Sequence, residues 1–162
     1  EHAIRPDDIA HVTLKVSPLV LELTGKKTPR SGLEGKFSVY HAVAAALVHG
    51  AAGEAQFSAA CVNDPQTAAL RGRVTAAEAA IGRTEAYVTI ALNDGRTFSK
   101  HVAHALGTLA RPMSDADLEA KFRGLTAGVL TPAQAEEIIA LCWRITRLED
   151  AGVICRAAVP HT

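Results

Sequence analysis

Apolar and polar residues alternate near the start of the chain. Val12, Leu14 and Val16 are interleaved with His11, Thr13 and Lys15. A period of two buries one face of a strand, and Pro18 marks its end. The stretch from Thr24 to Gly35, which includes Gly25, Pro29 and Gly32, reads as a long loop. The period then lengthens. Ser38 is placed to cap an Ala-rich helix that closes near Gly50, with Val39, Val43, Ala46 and Leu47 as its buried stripe. Asp64 followed by Pro65 is a second start signal, for a short helix to Arg71. Val74 opens another strand.

Tyr87 to Leu92 and Phe98 to Val102 read as two strands joined by Asn93, Asp94 and Gly95. A two-residue loop would set Ile90 opposite Ser99. A three-residue loop with a left-handed Gly95 sets Val88, Ile90 and Leu92 on one face with Phe98, Lys100 and Val102. The second collects more apolar surface and is preferred. Ser114 caps a helix carrying Leu118, Phe122 and Leu125. Thr131, Pro132 and Gln134 form a capping box for a last helix carrying Ile138, Leu141, Cys142, Ile145 and Leu148, which Gly152 should end. The expected class is α+β, a mostly antiparallel sheet of about four strands packed with several helices. Residues 1–162 read as a single domain.

Composition narrows the function. Hydrophobic residues make up 48% and aromatic residues 4%, so Ala, Val, Leu and Ile must build the core. The 17 basic and 17 acidic residues cancel, without a long run of either sign. A nucleic-acid partner, which calls for a basic face, is not expected. No apolar run approaches the ~20 residues of a membrane helix, and no signal peptide is visible, so neither membrane insertion nor export is expected. Cys61, Cys142 and Cys155 are odd in number and widely spaced. They read as small core residues in a reducing compartment, the cytoplasm.

Four segments, in order, resemble the MmgE/PrpD family. Ser31 through Gly50 runs a loop ending in Lys36-Phe37-Ser38 into an Ala-rich helix. Val62-Asn63-Asp64-Pro65 with Ala69 and Leu70 follows, then the Asn93-Asp94-Gly95 turn. Pro112 through Leu118, continuing to Lys121 and Phe122, completes the set. The resemblance covers nearly the whole chain and matches the family's smaller C-terminal lid domain. It implies a metal-independent lyase or isomerase acting on a small di- or tricarboxylate, by dehydration, decarboxylation or epimerisation after proton abstraction next to a carboxylate. It implies no cofactor. It also implies that the large helical domain carrying most catalytic groups lies outside these residues, so the chain alone should be inactive. The expected partners are the carboxylate substrate, that helical domain and a second copy of the chain in a homodimer. The alternative is a free-standing, non-catalytic dimerisation or interaction module.

His41 is the candidate catalytic residue. The family pattern carries a Tyr at the matching position, reaching into the interdomain cleft. With Ser38 as cap, His41 falls in the first helical turn, where the macrodipole disfavours the imidazolium. A neutral ring there can donate to a carboxylate or carry a proton. Lys36, Ser38 and Tyr40 are the candidate substrate-binding residues, since a helix start beside a lysine suits a carboxylate. Each has a bland counterpart: Lys36 solvated, Ser38 only capping, Tyr40 and His41 packing. His49, His101 and His104 lack partners for a ligand set, so no metal is expected. Lys121 reads as part of a solvated helix face. The chain carries neither GxGxxG nor GxxxxGK.

Overall fold

The computed structural model describes residues 4–160. They fall into two compact units that divide after Pro112.

The first unit carries the sheet. β1 (Ile9–Val16) is followed by α1 (Pro18–Thr24), α2 (Gly32–Lys36) and α3 (Val39–His49). A 3-10 turn at Glu54–Phe57 leads to α4 (Ala59–Val62) and α5 (Pro65–Arg71). The remaining strands are β2 (Val74–Glu78), β3 (Ala86–Leu92) and β4 (Thr97–Val102). The order across the sheet is β2-β1-β3-β4. β1 runs parallel to β2, and the other pairs are antiparallel. The class is therefore α+β with a mostly antiparallel four-stranded sheet, as the sequence led us to expect. Val12, Leu14 and Val16 are buried with Ile9, Tyr40, Ala44, Leu70, Val74 and Leu92 in one core.

The hairpin takes the three-residue form. Ile90 faces Phe98 and Val88 faces Lys100. Gly95 has φ 87°, which a side chain would strain. Three helices of this unit went unread: α1, α2 and the four-residue α4. Pro18, taken as a strand stop, is also the first residue of α1. Within the expected loop from Thr24 to Gly35, Ser31 accepts from the Glu34 amide and starts α2. On α3 the fully buried residues are Tyr40, His41, Ala44 and Ala45, while Val39, Val43 and Leu47 are partly buried against the core. The expected stripe covers one flank of a wider buried face. The reason is that α3 is packed by β2 and α1 and also by α2, α5 and the 3-10 turn.

The second unit is helical in its described residues. α6 (Asp115–Thr126) and α7 (Pro132–Trp143) begin at Ser114 and Thr131, each with a complete capping box. α7 is shorter than the periodicity implies. It stops at Trp143, and Ile145–Arg147 form a 3-10 turn. Gly152 opens α8 (Gly152–Ala157) instead of ending α7, its amide held by Asp150 Oδ1 at 2.8 Å. Ile145 and Thr146 are β-branched, which weakens helical continuation. Ile145 is also exposed, so no burial offsets that weakness. Among the described residues no helix is long and apolar enough to cross a membrane.

Candidate functional site: the turn into α3

Lys36, Phe37 and Ser38 join α2 to α3. The Phe37 carbonyl accepts from the Lys26 amide at 3.1 Å, tying the turn to the preceding segment. Ser38 is buried, and its hydroxyl accepts from the His41 amide at 3.1 Å, the N-cap bond the sequence called for. Gly35 lies under the turn. A Cβ there would come 2.7 Å from Val62 Cγ2 and 3.2 Å from His41 Cδ2, so only glycine lets α2 sit this close.

His41 has no exposed surface. Its Nε2 lies 2.7 Å from the Gln56 carbonyl and must donate to it. Its Nδ1, then unprotonated, accepts from Arg71 Nη1 at 3.4 Å. The Phe57 ring meets it edge-on at 5.5 Å. Burial pushes the imidazolium below the usual histidine range. The Gln56 carbonyl opposes that, while the Arg71 guanidinium and His49 reinforce it. Donation from Nε2 to Gln56 and acceptance at Nδ1 from the Arg71 guanidinium suit the neutral ring, with both nitrogens engaged inside the chain.

Lys36 presents its ammonium at the surface. Nζ donates to both oxygens of the Glu54 carboxylate, at 2.8 and 3.0 Å. Tyr40, by contrast, sits in the core. Of the four residues singled out from the sequence, Lys36 alone is exposed. Ser38 and His41 are joined to each other, and Tyr40 packs beneath them. Phe37 and Leu33, close to Lys36 in sequence, are 52% and 70% exposed.

Arg71 went unnoticed in the sequence. It donates to the Val62 carbonyl at 2.9 Å as well as to His41, and desolvation lowers its pKa. Among the described residues no carboxylate pairs with it. Its only sequence signal is its place at the end of α5, which says nothing about what it faces.

The histidines considered for a metal are apart. His101 Nε2 lies 2.8 Å from Glu85 Oε1, and its ring stacks on Tyr87 at 4.2 Å. His49 contacts Thr67 and Cys61. Among the described residues no three His, Cys, Asp or Glu side chains converge to hold a metal ion. Lys121 is exposed on α6. The cysteines depart from the core role expected of them. Cys142 and Cys155 are exposed and Cys61 is half-buried, because α7 and α8 turn those positions outward and α4 sets Cys61 at its edge.

The model of the MmgE/PrpD C-terminal domain matches residues 1–145. The mouse cis-aconitate decarboxylase is 26% identical over 162 residues, covering 96% of this chain and 33% of that protein. The human cis-aconitate decarboxylase is 25% identical over 160 residues, covering 95% of this chain and 33% of its own length. The chain spans about one third of both relatives. On the extent of that match, the chain belongs to the MmgE/PrpD family and corresponds to its C-terminal domain.

Proposed function

We propose that this chain is the lid part of a metal-independent lyase or isomerase that removes a proton next to a carboxylate of a small di- or tricarboxylate. A helical domain would supply most of the chemistry. The observation that carries the reading is the grip of Lys36 on Glu54. An exposed ammonium at the mouth of a turn already holds a carboxylate in two hydrogen bonds. A substrate carboxylate can take the place of Glu54, and charged hydrogen bonds of this kind are the strong ones. Family membership and the decarboxylases among its relatives point to the same substrate class.

In this reading Lys36 contacts substrate, while Ser38, Tyr40 and His41 set the turn that aims it. A catalytic part for His41 requires its ring to be released from Gln56 on closure. The exposed side chains of Leu33 and Phe37 would be covered by the helical domain, which also excludes water from the reacting groups. The same exposed apolar residues favour the second reading, a non-catalytic module that pairs with a second copy. Three free cysteines suit a reducing compartment, and we place the reaction in the cytoplasm.

The test is steady-state kinetics of the full-length enzyme on cis-aconitate and related carboxylates. Lys36→Ala should raise KM and lower kcat/KM by about 10- to 100-fold, the size of one charged hydrogen-bonding group. Glu54→Gln should leave kcat/KM equal or higher, because it removes a competitor. An unchanged kcat/KM in Lys36→Ala overturns the role of Lys36. No turnover of any carboxylate by the intact protein favours the interaction module.

A further inference from the structure

Beyond Arg71 lies a second group of reactive side chains, which the lid reading does not use. Cys61 Sγ is 3.3 Å from His49 Nε2, and Thr67 Oγ1 is 3.2 Å from the same nitrogen. The Cys61 amide is held by the Ser58 hydroxyl at 3.2 Å. Arg71 donates to the carbonyl of Val62, the residue after Cys61, at 2.9 Å, which holds its side chain at the same end of α4. The charged and titratable groups around the thiol are therefore His49, Arg71, His41 on the other side of Arg71, and Asp64 at the start of α5. Cys142 and Cys155, though more exposed, have no hydrogen-bond partner for their thiols among the described residues.

We propose that Cys61 is a covalent modification site for small anionic electrophiles, with His49 as the base and Arg71 as the anchor for the incoming carboxylate. When Nε2 carries its proton it donates to Thr67 Oγ1, whose hydroxyl donates to Asp64, and in the tautomer with Nε2 unprotonated the S–H of Cys61 donates to it. In the thiolate form Nε2–H donates back to Sγ. The thiolate is the attacking species, so a histidine in hydrogen-bond reach raises the share of productive encounters. With a halocarboxylate, Sγ bonds to the methylene carbon and the carbon–iodine bond breaks. Iodide leaves with the electron pair, and the thiol proton rests on His49 before passing to water. A guanidinium that no carboxylate neutralises attracts the anionic reagent over its neutral counterpart.

The experiment compares iodoacetate with iodoacetamide on the protein containing this chain. Labelling at Cys61, Cys142 and Cys155 is followed separately by peptide mass spectrometry. We expect Cys61 to take up iodoacetate on the order of tenfold faster than either other cysteine. We also expect its preference for iodoacetate over iodoacetamide to exceed that of Cys142 several-fold, in the sense that local charge dictates. His49→Gln should bring Cys61 down to the rate of Cys142 with both reagents. Arg71→Lys should keep the preference for the anion, and Arg71→Gln should lose it. The unsubstituted protein alone decides the main point. If Cys61 reacts more slowly than both exposed cysteines with both reagents, the site does not exist.

Discussion

The two units of the chain are built on opposite terms. Up to Pro112, a sheet and its helices bury Ile9, Val12, Leu14 and Leu70 to 2% exposure or less. From Met113 on, the buried hydrophobics among the described residues are Ala135 and Ile138, while Leu118, Leu125 and Trp143 stand about half exposed. Yet α6 and α7 of that second unit carry complete capping boxes. Ion pairs decorate them too, with Arg123 bound to Glu119 and Glu136. Helix signals and helix stability are therefore separable. Caps and spacing decide where a helix begins, but most of its stability comes from the face it buries. The first unit has that face covered. The second is held by local bonds and a thin seam, so it should open first.

The largest effect that tests this contrast is a cavity in each unit. Leu70→Ala, at a fully buried position, should destabilise the first unit by about 2–5 kcal/mol. Ile138 borders an apolar hollow between α6 and α7, lined by Leu118, Phe122 and Trp143. Solvent reaches that hollow, so Ile138→Ala should cost about 2 kcal/mol or less. Segment-resolved hydrogen exchange reads both. Amides of α7 that exchange as slowly as those of β1 would break the contrast.

His41 is the next largest. Its removal strands the Gln56 carbonyl and leaves Arg71 Nη1 with one acceptor fewer, besides opening a cavity under Phe57. His41→Ala should cost about 2–4 kcal/mol. The pH dependence has a definite sign. Because the folded pKa is depressed, the unfolded chain binds the proton more readily. The contribution is full above about 6.5, the unfolded value, and is lost as pH falls through the lower folded value. Denaturant melts at falling pH should show this acid loss in the parent protein and lack it in His41→Gln. Full-length kinetics separate the roles. A catalytic His41 loses kcat while stability can be restored, whereas a positioning His41 loses both together.

Much of the fold was legible because its signals are local or strictly periodic. Val12, Leu14 and Val16 showed their strand by alternation, and Asn93-Asp94-Gly95 showed its turn and register. Ser38, Asp64, Ser114 and Thr131 each showed a helix start by the cap itself. What escaped was tertiary. Pro18 stops a strand and starts a helix with equal propriety, and only packing on the sheet selects the helix. The glycines of the segment before Lys36 hid α2, which sits with Gly35 close against His41. At the site, the sequence put Lys36, Ser38, Tyr40 and His41 within six residues, and all four do lie at one turn. Which of them reaches solvent depends on neighbours from far along the chain, Gln56 and Arg71, that no local pattern announces. Cys61 beside His49 was hidden for the same reason.

The smallest effect sharpens the contrast most, because it uses one chemistry in two surroundings. Thr131 accepts from the Gln134 amide at 3.2 Å, and Ser114 accepts from the Asp117 amide at 3.2 Å. Ser38 accepts from the His41 amide at 3.1 Å in the same way. Replacing any of the three by Ala removes one cap, worth roughly 0.5–2 kcal/mol. The cost should be alike, but its consequence should not. α3 buries Tyr40, His41, Ala44 and Ala45, so Ser38→Ala leaves it closed and raises exchange only in its first turn. α6 has no fully buried residue and α7 has few, so Ser114→Ala and Thr131→Ala should raise exchange along the whole of their helices. The two substitutions touch different caps, and their joint effect should be additive within about 0.5 kcal/mol. Exchange confined to the first turn of α7 in Thr131→Ala would mean that the second unit is held by more than its caps and its seam.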